Sequence, residues 1–426
     1  MPKFASLPGF RDFYPETYAV RAHIAQAWRE AARRYGYREY DGPPLEPLEL
    51  YVEKSGEEIV RQLYNFVDKG GREVALRPEM TPTLARMVSA RAGAMRKPIR
   101  WFSIPQLFRY ERTQRGRLRE HFQWNVDMIG ESDVAADAEV LAVALEGLTL
   151  LGLTADDVVA RISDRRLLEK LLLHAGVPAD QLLRAYGVID KLTREPVERI
   201  RARLAEEVGL SSGSVEAVLR IFECPDLGAL AAVYGAVDGI APELERLERY
   251  LALLDQMGFG AFTRFDISIV RGLAYYTGIV FEVFDRRGEL RAVCGGGRYD
   301  ELLRVVGDVD LPALGFGMGD VVLGELLAER GLLPETPETL DYYIAVVDAS
   351  DMPLAYRVAR GLRSAGYSVS HALKPAGLGR QLKEADARGA ASVVVLGPEE
   401  VAAGVATVKD MRSGRERRVP LDELLH

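Results

Sequence analysis

Cysteine is scarce in this chain: 426 residues carry only Cys224 and Cys294, far apart and outside any CxxC pair. Five scattered histidines supply no zinc-ligand spacing either, so neither a thiolate zinc site nor any metal-ligand set of the protein's own is expected. Long apolar runs are also missing. No stretch approaches the roughly eighteen residues of a membrane-spanning helix, and Met1-Pro2-Lys3-Phe4 shows no basic region followed by an apolar one. A surplus of positive charge is lacking too, with 55 Lys and Arg against 63 Asp and Glu. A net charge of −8 excludes a protein that coats nucleic acid by bulk attraction, although a local basic patch would suffice to engage phosphates. Internal repeats and low-complexity tracts are absent. What remains is an ordinary folded composition, 48% hydrophobic and 28% charged, in a chain long enough for about two or three domains. A reduced, cytoplasmic protein with no membrane attachment is the expectation.

Apolar residues at Val20, Ile24, Ala27, Trp28 and Ala31 recur at helical spacing, and Gly36 ends that helix. Short aromatic-rich runs at Leu76, Trp101-Phe102 and Leu107-Phe108-Arg109-Tyr110 suit strands. Phe122 to Ile129 alternates with period two, placing Gln123, Asn125 and Asp127 on one face and apolar groups on the other. Leucine-rich helical patterns dominate 155–260, which reads as a helical insertion. Strand character returns at Thr263–Val270 and Gly278–Phe284, followed by a glycine-rich turn at Gly295–Gly297. A proline-containing linker at 332–340 leads to alternating strands and helices over 341–426, the pattern of a small, separately folding α/β domain. Residues 1–154 and 261–331 then form the two parts of the remaining domain.

Between Arg96 and His121 stand eight Lys and Arg residues against Glu111 and Glu120. Alone, such a stretch reads equally well as a solvated loop. Gln114-Arg115-Gly116-Arg117 adds a flexible glycine and guanidiniums able to grip phosphate bidentately. Arg109 and Glu111 alternate on a strand flanked by Phe108 and Tyr110, where an arginine could meet a phosphate or simply form a structural ion pair. Arg77-Pro78-Glu79-Met80-Thr81 and the polar face of 122–129 offer carboxylates for an ammonium group and an amide for a neutral polar ring. Val270-Arg271-Gly272-Leu273-Ala274-Tyr275-Tyr276 puts an arginine ahead of two tyrosines in an apolar strand, and arginine is almost never fully buried unpaired. Cys294-Gly295-Gly296-Gly297-Arg298-Tyr299-Asp300 permits close backbone approach to a ligand, as tight turns also do. Gly315-Phe316-Gly317-Met318-Gly319 resembles a nucleotide loop but lacks a P-loop lysine and a βαβ setting.

In this order the segments resemble the histidyl-tRNA synthetases. Pro43-Pro44-Leu45-Glu46 falls at class II motif 1, Phe108 through Asp127 at motif 2 and Gly315–Gly319 at motif 3. Arg271–Tyr276 and Gly295–Asp300 are similar to the two peptides peculiar to the histidine enzymes. The resemblance implies an α+β fold: an antiparallel class II sheet of six or seven strands flanked by helices, with a C-terminal α/β anticodon-binding domain. It further implies a homodimer, and ATP-dependent ligation of histidine to tRNA(His) through a histidyl adenylate, with Mg2+ on the ATP phosphates. Carried over residue by residue, Arg109 binds the ATP α-phosphate, and Glu111, His121 and Gly317 lie on the nucleotide side. Glu79, Met80, Thr81, Arg109, Gln123 and Asp127 hold histidine, and Tyr275 and Tyr276 close on its imidazole. Arg271 meets charge at the carboxylate and the α-phosphate during attack, and Arg115 and Arg117 reach tRNA.

Three positions depart from the family pattern. Asp320, Val321 and Val322 follow Gly319 without the motif 3 arginine, Ala274 replaces an aspartate, and His121 stands at the adenine-stacking phenylalanine. These changes resemble a branch that includes plant-organelle enzymes. Two rivals share the catalytic fold. One is the histidine-sensing regulatory subunit of ATP phosphoribosyltransferase, which generally lacks the C-terminal domain. The other is an accessory subunit of an organellar DNA polymerase, which has no need of the histidine peptides.

Overall fold

The computed structural model describes residues 4–55, 57–192, 195–270, 276–334, 340–374 and 376–425. The chain divides into two units, Met1–Leu333 and Pro334–His426. The first opens with α1 (Pro15–Arg34), which starts on proline, carries Glu16 in its first turn and Arg33 and Arg34 in its last, and buries Ile24, Ala27, Trp28 and Ala31. Then follow β1 (Arg38–Glu39), β2 (Leu45–Pro47), α2 (Leu48–Ser55), β3 (Asn65–Val67), β4 (Glu73–Leu76) and α3 (Thr81–Ser89). Next come β5 (Ile99–Ser103), β6 (Gln106–Phe108), β7 (Glu120–Ile129), α4 (Val134–Thr149) and β8 (Val158–Asp164). Helices α5 (Arg165–His174), α6 (Leu182–Ile189), α7 (Val197–Glu206), α8 (Ser212–Phe222), α9 (Leu227–Tyr234) and α10 (Ala241–Gln256) precede β9 (Thr263–Phe265). The unit closes with β10 (Ile279–Asp285), β11 (Cys294–Arg298), α11 (Leu302–Gly307), β12 (Ala313–Gly319) and α12 (Asp320–Arg330).

The main sheet runs β1-β5-β7-β12-β11-β10-β8-β9, with β6 also paired to β7. From β5 to β8 every neighbouring pair is antiparallel, whereas β1 and β9 join the two edges in parallel. One face carries Trp124, Val126, Met128, Phe316, Met318 and Phe281, all buried in the main core. Helix α4 covers that face. It is capped by Asp133, which accepts from Ala135 N–H, and is apolar nearly all round, as befits a helix with no solvent side. Gly147 lets Trp124 in, since a Cβ there would lie 2.6 Å from its ring. Trp124 in turn stacks on Trp28 of α1 at 5.9 Å and meets Phe316 edge-on at 5.0 Å. A small sheet, β2-β4-β3, flanks this body.

Three expectations from sequence need correction. The segment 155–260 does not begin as helix: β8 is an interior strand of the main sheet, and helices start at Arg165. Val158-Val159-Ala160 is a short apolar run in a strand buried except at Arg161, and periodicity cannot tell so short a run from a core helix. The glycine-rich turn at Gly295–Gly297 is strand β11, and the loop-like Gly315–Gly319 lies in strand β12. Glycines leave no side-chain alternation to read. Finally, β6 ends at Phe108, so Arg109 and Glu111 follow the strand, although Arg109 N–H still reaches the carbonyl of Arg119.

The second unit holds β13 (Leu340–Val346), α13 (Met352–Ser364), β14 (Val369–His371), α14 (Leu378–Ala387), β15 (Ala390–Leu396), α15 (Pro398–Ala402), β16 (Val405–Asp410), β17 (Glu416–Pro420) and α16 (Leu421–Leu425). Its sheet is ordered β14-β13-β15-β16-β17. Ile344 and Val346 pack under α13 and α16, and Tyr343 and Ala345 face α14, so β13 is buried on both sides.

Candidate active site

The face of the main sheet opposite α4 is polar, and strand register makes it so. Gln123, Asn125 and Asp127 share one face of β7, and across the ladder Gly319, Gly317 and Gly315 oppose them. Gly317 and Gly315 in turn face Gly295 and Gly297 of β11, and Glu282 of β10 stands opposite Gly295. Two strands that present only glycines to this face therefore form a floor bounded by polar walls. A Cβ at Gly317 would lie 2.7 Å from the Gln123 amide nitrogen, and one at Gly315 would strike the Asp127 carboxylate.

Above the floor is a small pocket of about 140 Å³ lined by Glu79, Thr81, Arg109, Gln123, Asn125, Asp127, Tyr276 and Tyr299. Asp127 and Tyr299 are buried, and the Tyr299 hydroxyl donates to the Asp127 carboxylate. Glu79 and Thr81 stand at the start of α3, on a segment strapped from several sides. The buried Arg77 side chain binds Asp41 at 2.7 Å and the carbonyls of Gly42 and Gln106, and Phe108 N–H donates to the Arg77 carbonyl. Arg109 Nε reaches the Pro78 carbonyl at 3.1 Å, which ties the guanidinium to the same segment.

Arg109 also lines a second, larger cleft of about 750 Å³, within the size range of nucleotide-sized ligand sites. Its walls include Glu111, Arg117, His121, Glu282, Phe284, Arg291, Gly319, Val321 and Val322. Glu111 and Arg117 form an ion pair. Burial, reinforced by Arg109, Arg11 and Arg117, pushes the His121 imidazole down to about 3, so its ring is neutral at physiological pH. Behind the cleft, Arg11 bridges the buried carboxylates of Glu120 (2.6 Å) and Asp320 (3.0 Å), and Asp320 accepts from Phe122 N–H at 2.9 Å. The first turn of α12 is thereby fixed, with Val321 and Val322 toward the cleft.

Of the residues expected from sequence, Glu79, Thr81, Arg109, Gln123, Asp127 and Tyr276 meet around the small pocket, and Arg109, Glu111, Arg117 and His121 around the cleft. Gly317 lies on the floor of the small pocket and not in the cleft, because register sets it opposite Asn125. Met80 lines neither space: its side chain is fully buried near Arg77. Arg115 is not a loose loop residue. It pairs with Glu325 at 3.3 Å and Glu329 at 2.6 Å on α12, and Gly116 (φ +70°) closes a tight hairpin between Gln114 and Arg117. Arg271 and Tyr275 lie outside the described residues. Sequence reasoning missed Tyr299, Glu282 and Arg291, and passed over Asn125 although its alternation with Gln123 and Asp127 marked it.

Chemically, the small pocket offers two carboxylates and two carboxamides to a ligand with an ammonium and a polar ring. The cleft offers guanidiniums for phosphates and a neutral imidazole for a flat base. Arg109 stands where the two meet.

The family model described as histidyl-tRNA synthetase matches residues 9–320, and one described as anticodon binding domain matches 341–426. A histidine–tRNA ligase of Opitutus terrae is 43% identical over 100% of this chain and 98% of its own length. The chloroplastic/mitochondrial histidine–tRNA ligase of Arabidopsis thaliana is 42% identical over 98% of this chain and 85% of its own. Among solved structures, histidyl-tRNA synthetase from a Nostoc species superimposes with a TM-score of 0.85 at 23% identity, covering 100% of this chain and 98% of that one. A Bacillus halodurans protein titled as an ATP phosphoribosyltransferase regulatory subunit/histidyl-tRNA synthetase does so at 0.74 and 24% identity, covering 87% and 93%. These two likenesses establish the fold.

Proposed function

The chain belongs to the histidyl-tRNA synthetase family, and from that premise we propose how its residues divide the labour of ligation. The reaction is the ATP-dependent attachment of histidine to tRNA through a histidyl adenylate. The observation that carries the residue assignment is the small carboxylate-bearing pocket joined to the larger cleft at Arg109.

Histidine occupies the small pocket. Glu79 and Asp127 meet its ammonium and imidazole N–H groups, with Thr81, Gln123 and Tyr276 around them, and the family peptide supplies Tyr275 and Arg271. Burial gives the pocket its selectivity. An amino acid unable to satisfy Asp127 and its partners leaves polar groups unpaired, which discriminates far more than a missing methylene does. ATP lies in the cleft, its base against His121 and its α-phosphate at Arg109. The histidine carboxylate oxygen attacks the α-phosphorus and pyrophosphate departs. The terminal ribose hydroxyl of tRNA then attacks the adenylate carbonyl, releasing AMP. Negative charge builds at phosphorus in the first step, and one preorganised donor aimed at such charge contributes about 3–4 kcal/mol in a water-excluded site. Arg109 and Arg271 are the donors assigned here.

Magnesium fits the donor set: Glu282 and Glu111 are the carboxylates on the cleft wall, and this ion is usually held by one or two carboxylates with substrate phosphates supplying the rest. When bound it would neutralise phosphate charge. Arg115 and Arg117 flank the hairpin beside the cleft, so tRNA would exchange their internal carboxylate partners for phosphates. The C-terminal unit engages tRNA. A homodimer is assigned to the motif 1 side, where Leu45, Phe66 and Val67 leave apolar surface exposed on the β2-β4-β3 sheet; sedimentation velocity tests it. Among the described residues no helix is long and apolar enough to cross a membrane, and we assign the protein to the cytoplasm.

Histidine-dependent ATP–pyrophosphate exchange tests the whole. It should be abolished by Arg109→Ala or Arg271→Ala with the fold retained; exchange at the wild-type rate in either variant refutes the assignment. Absence of exchange in the unmodified protein would favour the histidine-sensing reading.

A further inference from the structure

Three described arginines line the cleft, and they are not equivalent. Arg117 is held by Glu111, and Arg109 stands at the junction with the amino-acid pocket. Arg291 comes from the connection between β10 and β11, and among the described residues it has no carboxylate partner. Its backbone is nevertheless pinned. The buried Asp285 carboxylate accepts from Leu290 N–H at 3.1 Å, and Val293 N–H returns to the Val283 carbonyl at 2.8 Å. A Cβ placed on Gly116 would lie 3.2 Å from Val322 Cγ2 and 3.7 Å from Arg291 Cδ, so the stem of Arg291 runs beside Val322 at the cleft wall. The α12 side of that wall has no cation of its own. The first turn of α12 offers Val321 and Val322, and its only charge, Asp320, is a carboxylate bound to Arg11.

We propose that Arg291 binds the β- and γ-phosphates of ATP, supplying from the β10–β11 connection the cation that α12 does not present. The inference rests on reading the cleft as the ATP site. A triphosphate anchored at Arg109 by its α-phosphate must place its remaining charge elsewhere in the cleft. A guanidinium grips phosphate bidentately and is already matched to that geometry. Its exposure suits a group that must release pyrophosphate into solvent. This makes Arg291 a substrate-binding residue for the leaving half of the nucleotide.

The test compares ATP with AMP, which lacks the two phosphates in question. Arg291→Ala should weaken ATP by about ten- to a hundred-fold, the range for one charge-assisted hydrogen-bonded contact, and leave AMP affinity within about two-fold. Arg291→Lys should recover part of the loss. In the Arg291→Ala background, Val322→Arg should also recover part of it, because it returns a cation to the same stretch of wall. Equal weakening of ATP and AMP, or unchanged ATP affinity, overturns the proposal. Failure of the underlying reading looks different. Gly319→Trp projects a ring toward the cleft from a position where a Cβ meets nothing nearer than His121 Cδ2 at 4.0 Å, and an unchanged circular dichroism spectrum and urea midpoint show its fold intact. ATP binding that survives Gly319→Trp overturns the reading of the cleft, and with it the role of Arg291.

Discussion

His121 makes the stability of the first unit depend on pH in a direction that can be worked out. Its imidazole is pushed down to about 3, first by burial and then by the positive charge of Arg109, Arg11 and Arg117. In the unfolded chain a histidine titrates near about 6.5. Between those values the unfolded state binds a proton that the folded state refuses, so unfolding becomes easier as pH falls. The stabilising contribution is therefore fully present above about pH 6.5 and declines below it, by about 1.4 kcal/mol per pH unit at most. From about pH 7 to about pH 5 this amounts to about 2 kcal/mol, reduced to about 1–2 because the ring borders a cleft open to water. His121→Phe keeps a flat ring on the wall and removes the proton site. Urea unfolding followed by tryptophan fluorescence is the assay. All three tryptophans, Trp28, Trp101 and Trp124, lie in the first unit, so the signal reports that unit alone and avoids mixing two transitions. The wild type should lose about 1–2 kcal/mol more than His121→Phe over that pH interval. Parallel losses in the two proteins would show that the imidazole is protonated in the folded state, and the account of a neutral cleft wall would be wrong.

Asp127→Ala and Gln123→Ala should weaken histidine binding by about ten-fold or more and ATP binding far less, measured by calorimetry with each substrate separately; equal losses would indicate a collapsed strand. Asp137→Ala removes the buried one of the two carboxylates on Arg298, contacts of 3.1 and 3.2 Å from Nε, and leaves Asp300 at 3.3 Å and the Glu131 carbonyl at 3.0 Å; it should cost about 1.5–3 kcal/mol in the same urea assay, and a loss below about 1 kcal/mol would mean that Asp300 and Glu131 satisfy the guanidinium without it. Arg115→Ala should spare histidine-dependent pyrophosphate exchange, slow transfer to tRNA and lower the salt slope of tRNA binding by about 0.7–0.9. An unchanged transfer rate and slope would establish Arg115 as a purely internal partner of Glu325 and Glu329.

Legibility in the sequence followed side-chain periodicity. β7 could be read because its polar and apolar residues alternate strictly, and the pocket face of Gln123 and Asp127 came with it. β11 and β12 could not, since glycine has no face; their strand nature lies in what surrounds them, β10 on one side and β7 on the other. The Arg298–Asp137 and Tyr299–Asp127 bonds join residues 161 and 172 positions apart, and nothing local announces either. Arg115 was read as free because its loop is basic, while its acidic partners sit on a helix more than two hundred residues downstream, 210 to Glu325 and 214 to Glu329. Arg291 went unread because a lone arginine in a charged connection carries no pattern at all.

The glycine floor fixes what substitution can do to the site. Elsewhere a pocket can be widened by shortening a side chain, but Gly295, Gly315 and Gly317 already carry none, so every change along the floor subtracts volume. A variant lineage drifting toward a bulkier amino acid has no path through β11 or β12 and must alter the rim, at Thr81, Gln123 or Tyr276. An inhibitor seated against bare backbone faces the same restriction in reverse. Resistance at those three glycines can arise only by intrusion, and a methyl group at Gly317, 2.7 Å from the Gln123 amide, crowds the natural substrate's own pocket as well. The contour that admits the ligand is thus drawn by main chain, and main chain is not what mutation edits.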